Sequence, residues 1–255
     1  MLIDLDGKLG VVVGIANEHS IAYGCAEKFH LAKAELVVTY LNEKAKTYVE
    51  PLAEALQSPL FLPCDVQKKE ELAMLFDSIQ QKWGKLDFML HSIAYCPKSD
   101  LQDRVVDCSQ EGFLEAMAIS CHSLIQMSKL AEPLMKQGGS ILTMSYYGSQ
   151  KVSKNYNLMG IVKAALEATV RYLAYELGKN NIRVNAISPG PIKTRAASGI
   201  LNFYEYVEKG IEKSPLHRLV NIENVGNLAT FLASDAAQDI TGQVHYIDTG
   251  YSIMD

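Results

Sequence analysis

The sequence predicts a single-domain α/β protein, spanning 1–255, whose doubly wound sheet of seven parallel strands is flanked by helices and carries a short helical lid. Three observations predict it. Short apolar, β-branched runs alternate with longer helix-period segments along the whole chain. The first run, Leu9-Gly-Val-Val-Val13, lacks polar positions, as a strand buried on both faces requires, and Gly14 follows at once. At 255 residues and 48% hydrophobic the chain can bury a substantial core, and an α/β unit of this size is commonly one domain.

The elements follow in order. Ser20 stands where it can cap a helix reaching about Ala32, and Leu36-Val-Val-Thr-Tyr40 is a second strand. A helix over about Glu43 to Gln57 leads to Leu60-Phe-Leu-Pro-Cys64, the third strand. Another helix starts near Gln67 and runs to about Trp83, before a fourth strand, Leu86-Asp-Phe-Met-Leu90. That strand ends in His91-Ser92-Ile93-Ala94, small residues that suit close approach of a ligand; His91 reads as a packed, hydrogen-bonded histidine. A long helix from about Gln110 to Lys136 bears an apolar face (Phe113, Met117, Leu124, Met127, Leu130, Leu134) that suits core packing, with an oligomer contact as the alternative. Ser140-Ile-Leu-Thr-Met144 is the fifth strand, Tyr156 to about Lys179 a helix, and Ile182 to Ser188 the sixth strand. Pro189-Gly-Pro-Ile-Lys-Thr194 turns stiffly away from it. The stretch over about 195–212 lacks strand periodicity, mixes small residues with aromatics, and reads as a mobile helical lid. A helix from about Ile222 to Ser234 and a strand from Val244 to Asp248 complete the set.

Charge and composition exclude several functions. A net charge of −5 with no Lys/Arg block opposes a nucleic-acid surface. Five scattered cysteines without a CxxC pair suggest neither a disulfide framework nor a structural metal site, and they fit a reducing, cytoplasmic compartment. The N-terminus has acids where a signal peptide is basic, and no apolar run is long enough to span a bilayer.

Two regions carry chemistry. In Gly14-Ile-Ala-Asn-Glu-His-Ser-Ile-Ala-Tyr-Gly24, Gly14 permits a tight turn, the helix start offers N–H groups to a phosphate, and Gly24 allows close helix-to-strand packing. The segment departs from GxGxxG, and a plain strand-to-helix turn is the alternative. Tyr40, Leu41 and Asn42 stand where dinucleotide folds often place a ribose-binding acid, and no Arg is there to meet a 2′-phosphate; NADH is therefore preferred, with NADPH the alternative. Asp65 could accept from an adenine amine or cap the next helix. In the second region Tyr146 follows the fifth strand, while Tyr156 and Lys163, seven residues apart, share one helix face. Tyr147 and Lys151 also spell Tyr-x3-Lys, but they lie in the loop directly after the strand, where Gly148 opposes helix. Cys96 reads as a pocket wall.

These pieces resemble the short-chain dehydrogenase/reductase superfamily and, within it, the bacterial enoyl-acyl-carrier-protein reductases of the FabI type. The marks are GIANEHSIAYG at 14–24, CDV at 64–66, HSIA at 91–94, SYYG at 145–148, YNLMGIVKA at 156–164, NAISPGPIKTRAASGI at 185–200 and VGN at 225–227. Tyr-x6-Lys with an upstream tyrosine, in place of Tyr-x3-Lys, is the distinguishing spacing. The resemblance implies a Rossmann-type fold and NADH-dependent reduction of a trans-2-enoyl thioester in type II fatty acid elongation. It makes Tyr146, Tyr156 and Lys163 the catalytic group. It assigns Gly14, Ser20, Ile21, Leu41, Asp65, Val66, Ile93, Ala94, Lys163, Ile192 and Thr194 to the cofactor, and Cys96, Tyr146, Tyr156 and Met159 to the substrate. It also implies an acyl-carrier-protein partner, a homotetramer and no metal. Family members often carry basic residues on the lid, where this chain has Leu201, Tyr204 and Glu205; Pro189 and Arg195 also depart from many relatives. A ketone reductase of the same superfamily and a nonenzymatic NAD-binding regulator are the rival readings.

Overall fold

The computed structural model describes residues 3–195, 197–201 and 203–254. Its strands are β1 (Leu9–Val13), β2 (Glu35–Tyr40), β3 (Leu60–Pro63), β4 (Phe88–His91), β5 (Gly139–Met144), β6 (Ile182–Pro189) and β7 (Val244–Ile247). All neighbours pair parallel in the order β3-β2-β1-β4-β5-β6-β7. Parallel neighbours need crossover connections, so helices cover both faces and the strands are apolar on both. Alternation along β1 shows this directly. Val11 and Val13 join one core with Met89 and Ile141, whereas Val12 joins the other with Leu36, Leu90 and Leu142.

The helices are α1 (Ile21–Leu31), α2 (Glu43–Ala55), α3 (Lys69–Trp83), α4 (Lys98–Gln102), α5 (Gln110–Met117), α6 (Ser123–Ala131), α7 (Asn157–Leu177), α8 (Phe203–Lys213) and α9 (Ile222–Ala233). The expected strands and crossover helices are present, with boundaries moved for identifiable reasons. β4 begins two residues later than expected because Asp87 is used at the sheet's edge, where its Oδ2 accepts the Leu9 N–H at 2.9 Å. The long helix is not one regular helix. A π turn, Ala118–His122, joins α5 to α6, and a short 3-10 turn ends the run at Leu134, where Pro133 cannot continue an α-helical ladder. Gly24 packs helix to helix rather than helix to strand: a Cβ there would lie 2.6 Å from the Ile222 carbonyl of α9. The lid stretch holds a 3-10 turn, Ala197–Gly199, and α8. Among the described residues no helix is long and apolar enough to cross a membrane.

Candidate active site

Parallel strands deliver their following residues to one rim. Register pairs Val13 with His91, His91 with Thr143 and Tyr40 with Pro63, so the chains leaving β1 to β5 emerge side by side. Gly14, Leu41, Asp65 and Val66, Ile93 and Ala94, and Tyr146 all occupy that rim, and Ile192 and Thr194 follow β6 there. Strand order reverses between β1 and β4, the place where such sheets open a crevice.

Gly14 has φ +114°, and a Cβ there would overlap the Ser92 carbonyl. The β1 turn is thus seated against the chain leaving β4, a fit only glycine allows. Ser20 precedes α1 as expected but does not cap it. Its Oγ accepts from Ala16 N at 3.2 Å and Asn17 N at 3.3 Å and donates to the Asn17 carbonyl, so it shapes the loop instead. Ile21 opens α1. Leu41 is exposed beyond β2, while Asn42 caps α2 through Ala45 N at 3.0 Å. Asp65 does not cap α3 either, since that helix starts at Lys69. Its carboxylate accepts from Gln67 N at 3.0 Å and its own N–H donates to Glu71 at 2.7 Å. Val66 turns into the core, Ile93 packs against it, and Ala94 is exposed. Ser120, in the π turn, clips the adjoining chain by accepting from Tyr95 N at 2.8 Å and donating to Tyr95 O at 2.9 Å. Ile192 packs on the second core, and Thr194 Oγ1 accepts from Ala197 N at 3.1 Å, tying the lid's first turn to the rim.

The reactive half forms where β5 meets α7. The Tyr146 and Tyr156 rings lie 4.7 Å apart, tilted by 59°, with Tyr156 only 9% exposed at the N-cap of α7. Lys163, 4% exposed, donates from Nζ to the Met144 carbonyl at 2.7 Å. Burial pulls its pKa down to about 8, with nearby Cys121 and Glu167 acting the other way. His91 is fully buried between Thr143 (Nδ1, 2.9 Å) and Ser123 (Nε2, 2.8 Å); burial first, then the Lys163 charge, lowers it to about 3. It is a neutral, hydrogen-bonded histidine. Cys96 is half-buried against the core, and burial pushes its thiol up to about 11, so it is a neutral wall. Met159 is buried in the core against which Cys96 packs. Tyr147 sits in a 3-10 turn, Tyr147–Ser149, packed edge-on against Tyr251 at 5.7 Å, with Lys151 exposed. That pair is not a helical Tyr-x3-Lys.

Sequence reading missed three features. Asn155 and Asn157, at φ +64° and +40°, flank Tyr156 in left-handed conformations. Their amides reach Leu201 O at 3.0 Å in the lid and Leu101 O at 2.9 Å in α4, and Gln102 reaches Gly199 O at 3.0 Å. The Asn-x-Asn pattern was the available signal, because Asn tolerates this conformation better than most residues. Glu167, buried one turn beyond Lys163, was the third; its i,i+4 spacing from the lysine was the signal.

A parallel sheet in this order, a glycine turn after β1, and tyrosine and lysine on the helix after β5 define a dinucleotide-dependent oxidoreductase of the short-chain dehydrogenase/reductase class. The particular family follows from comparison. A family model described as enoyl-(acyl carrier protein) reductase matches residues 14–252, and the chain belongs to that family. A curated relative from Nostoc sp., an enoyl-[acyl-carrier-protein] reductase [NADH], is 50% identical over 99% of both chains. The Anaplasma phagocytophilum enoyl reductase, crystallised with NAD, superposes with TM-score 0.95 at 46% identity, over 100% of this chain and 96% of its own. The Bacillus cereus enoyl-acyl carrier protein reductase, crystallised with NADP+ and an indole naphthyridinone, gives 0.96 at 45% identity over 98% of each.

Proposed function

We propose that this protein is an NADH-dependent enoyl-acyl-carrier-protein reductase that saturates the trans-2 double bond of an enoyl thioester in fatty acid elongation. The observation that carries the reading is the pairing of Tyr146 and Tyr156, with a buried lysine two turns further along α7 that bonds the end of β5. The rim fits the cofactor: Gly14, at φ +114°, turns the chain tightly after β1 and leads it to the N-terminus of α1, whose free N–H groups suit a pyrophosphate. Gly14, Ser20 and Ile21 would meet the pyrophosphate, Asp65 and Val66 the adenine, Leu41 the adenosine ribose, Ile93 and Ala94 the nicotinamide, and Ile192 and Thr194 its carboxamide. When bound, NADH supplies the hydride for the β-carbon.

The chain's own groups handle the charge. Tyr156 donates a hydrogen bond to the thioester oxygen, where negative charge develops, and a preorganised donor of this kind is worth about 10²–10³ in kcat. Tyr146 forms the neighbouring wall. An ammonium has three donors; Lys163 directs one at Met144 O, which leaves two for the ribose hydroxyls. Its positive field favours the developing enolate, whose α-carbon then takes a proton from solvent. Cys96 and Met159 face the acyl chain, and the lid over about 195–212 closes above it. A homotetramer is part of this reading, supported by Ile125, Tyr172 and Tyr175, which α6 and α7 leave exposed. So is a cytoplasmic location, supported by five free cysteines.

Absorbance at 340 nm with a medium-chain trans-2-enoyl thioester tests the reading, with NADH compared against NADPH and carrier protein against coenzyme A. Rapid oxidation of NADH is expected. No oxidation under any pairing would overturn it.

A further inference from the structure

One buried ionisable group has no part in this mechanism. Glu167 is 1% exposed on α7, and a buried carboxylate is retained only where it is well partnered. Its partners are unusual in coming from a single segment. Oε1 accepts from Ser145 Oγ at 2.6 Å and from Ser149 Oγ at 2.5 Å, and Oε2 accepts from Gln150 Nε2 at 2.7 Å. These donors bracket Tyr146 and Tyr147. Between them Gly148 presses on Tyr156, since a Cβ at 148 would lie 2.5 Å from Tyr156 Cδ1. The face on which Tyr156 packs is therefore set by wherever this segment is held.

We propose that Glu167 is a positioning residue: one carboxylate clamps both ends of the 145–150 segment to α7 and so fixes Tyr146 against Tyr156. The inference rests on the catalytic reading of Tyr156 and Lys163. A hydroxyl or amide at 167 could satisfy one or two of the three donors, whereas an ionised carboxylate accepts all three in charge-assisted bonds. The same charge acts one helical turn from Lys163 and favours its ammonium. Lys163 is also faced by Cys121 from the π turn and His91 from β4, and Glu167 by Tyr246 from β7. Of these groups only Glu167 is a carboxylate.

Glu167→Gln, which keeps the shape and removes the charge, and Ser149→Ala, which removes one donor, test the clamp. NADH oxidation by an enoyl thioester would be followed from pH 6 to 9.5, and NADH affinity by fluorescence titration. In Glu167→Gln, kcat should fall about 10- to 100-fold, the loss that follows a displaced reacting group, with NADH affinity within about twofold of wild type. The alkaline limb of its kcat profile should move to lower pH. Ser149→Ala should lower kcat in the same direction by less, and it decides the matter if Glu167→Gln does not fold. Wild-type kcat and an unmoved alkaline limb in the folded variants, even with a lower Tm, would reduce Glu167 to a structural residue and overturn the clamp. A wild-type protein that binds NADH but turns over no enoyl thioester would instead sink the parent reading, and the clamp with it.

Discussion

Lys163 should make the protein more stable as pH rises through a range where most proteins weaken. Its folded pKa, about 8, lies below its ordinary 10.5, because a buried ammonium has lost its hydration. Between those values the unfolded chain binds a proton that the folded chain does not, so unfolding becomes harder as pH rises. Below pH 8 both states are charged and the full penalty is present, roughly 3 kcal/mol at about 1.4 kcal/mol per tenfold. Between pH 7 and 10 about 2–3 kcal/mol of it should be recovered. Other groups titrate in this window, so the quantity to measure is a difference. Urea unfolding of wild type and Lys163→Met, at one protein concentration and without NADH, would be compared at pH 7 and pH 10. Wild type should gain those 2–3 kcal/mol relative to the variant. Parallel pH dependences in the two proteins would refute the argument, because they would mean that Lys163 is solvated in the native state or neutral throughout.

Three further outcomes are expected. Tyr156→Phe should lower kcat about 10²–10³-fold with NADH affinity nearly unchanged, as kinetics beside a binding titration would show. Gly14→Ala forces a side chain into φ +114° against the Ser92 carbonyl; it should cost more than about 2 kcal/mol in urea unfolding and weaken NADH binding at least about tenfold. The His91 ring nitrogens should show pH-independent NMR shifts from pH 5 to 8. Because the unfolded chain protonates there and the folded chain does not, His91 should contribute a loss of stability as pH falls below 6.5.

What was legible in the sequence was whatever a local pattern can carry. Leu9–Val13, Leu36–Tyr40 and Ile141–Met144 announce buried strands because β-branched and apolar residues fill both faces, and the seven-strand count follows. Once parallel strands are inferred, their carboxyl ends must share a rim, which places Tyr146 there; the grouping of Gly14 with Thr194 around one cofactor rests on the family resemblance. The π turn left no mark, since one slipped hydrogen-bond register over five residues barely perturbs a helical pattern. The expected cap at Ser20, and capping as the alternative for Asp65, both fail because these side chains take loop partners over helix N–H groups. Glu167 shares the buried face of α7 with Lys163, but its partners become visible only when the segment after β5 is seen folded over it.

The slipped turn at Ala118–His122 also restricts how the gene can change length. A π turn takes one residue more than the α-helical ladder needs, so everything beyond it is rotated by roughly 100° relative to an uninterrupted helix. That rotation aims Ser120 at the Tyr95 backbone while Ser123, on the following turn, meets His91. Removal of any single residue between 110 and 122 would let the helix relax to regular winding. It would also swing one of those serines away from its partner, even where the deleted residue itself is exposed and contacts nothing essential. Insertions and deletions should therefore be tolerated in the turns at the opposite rim of the sheet, near residues 84 and 137, and excluded from this helix, whose phase is an inherited quantity in its own right.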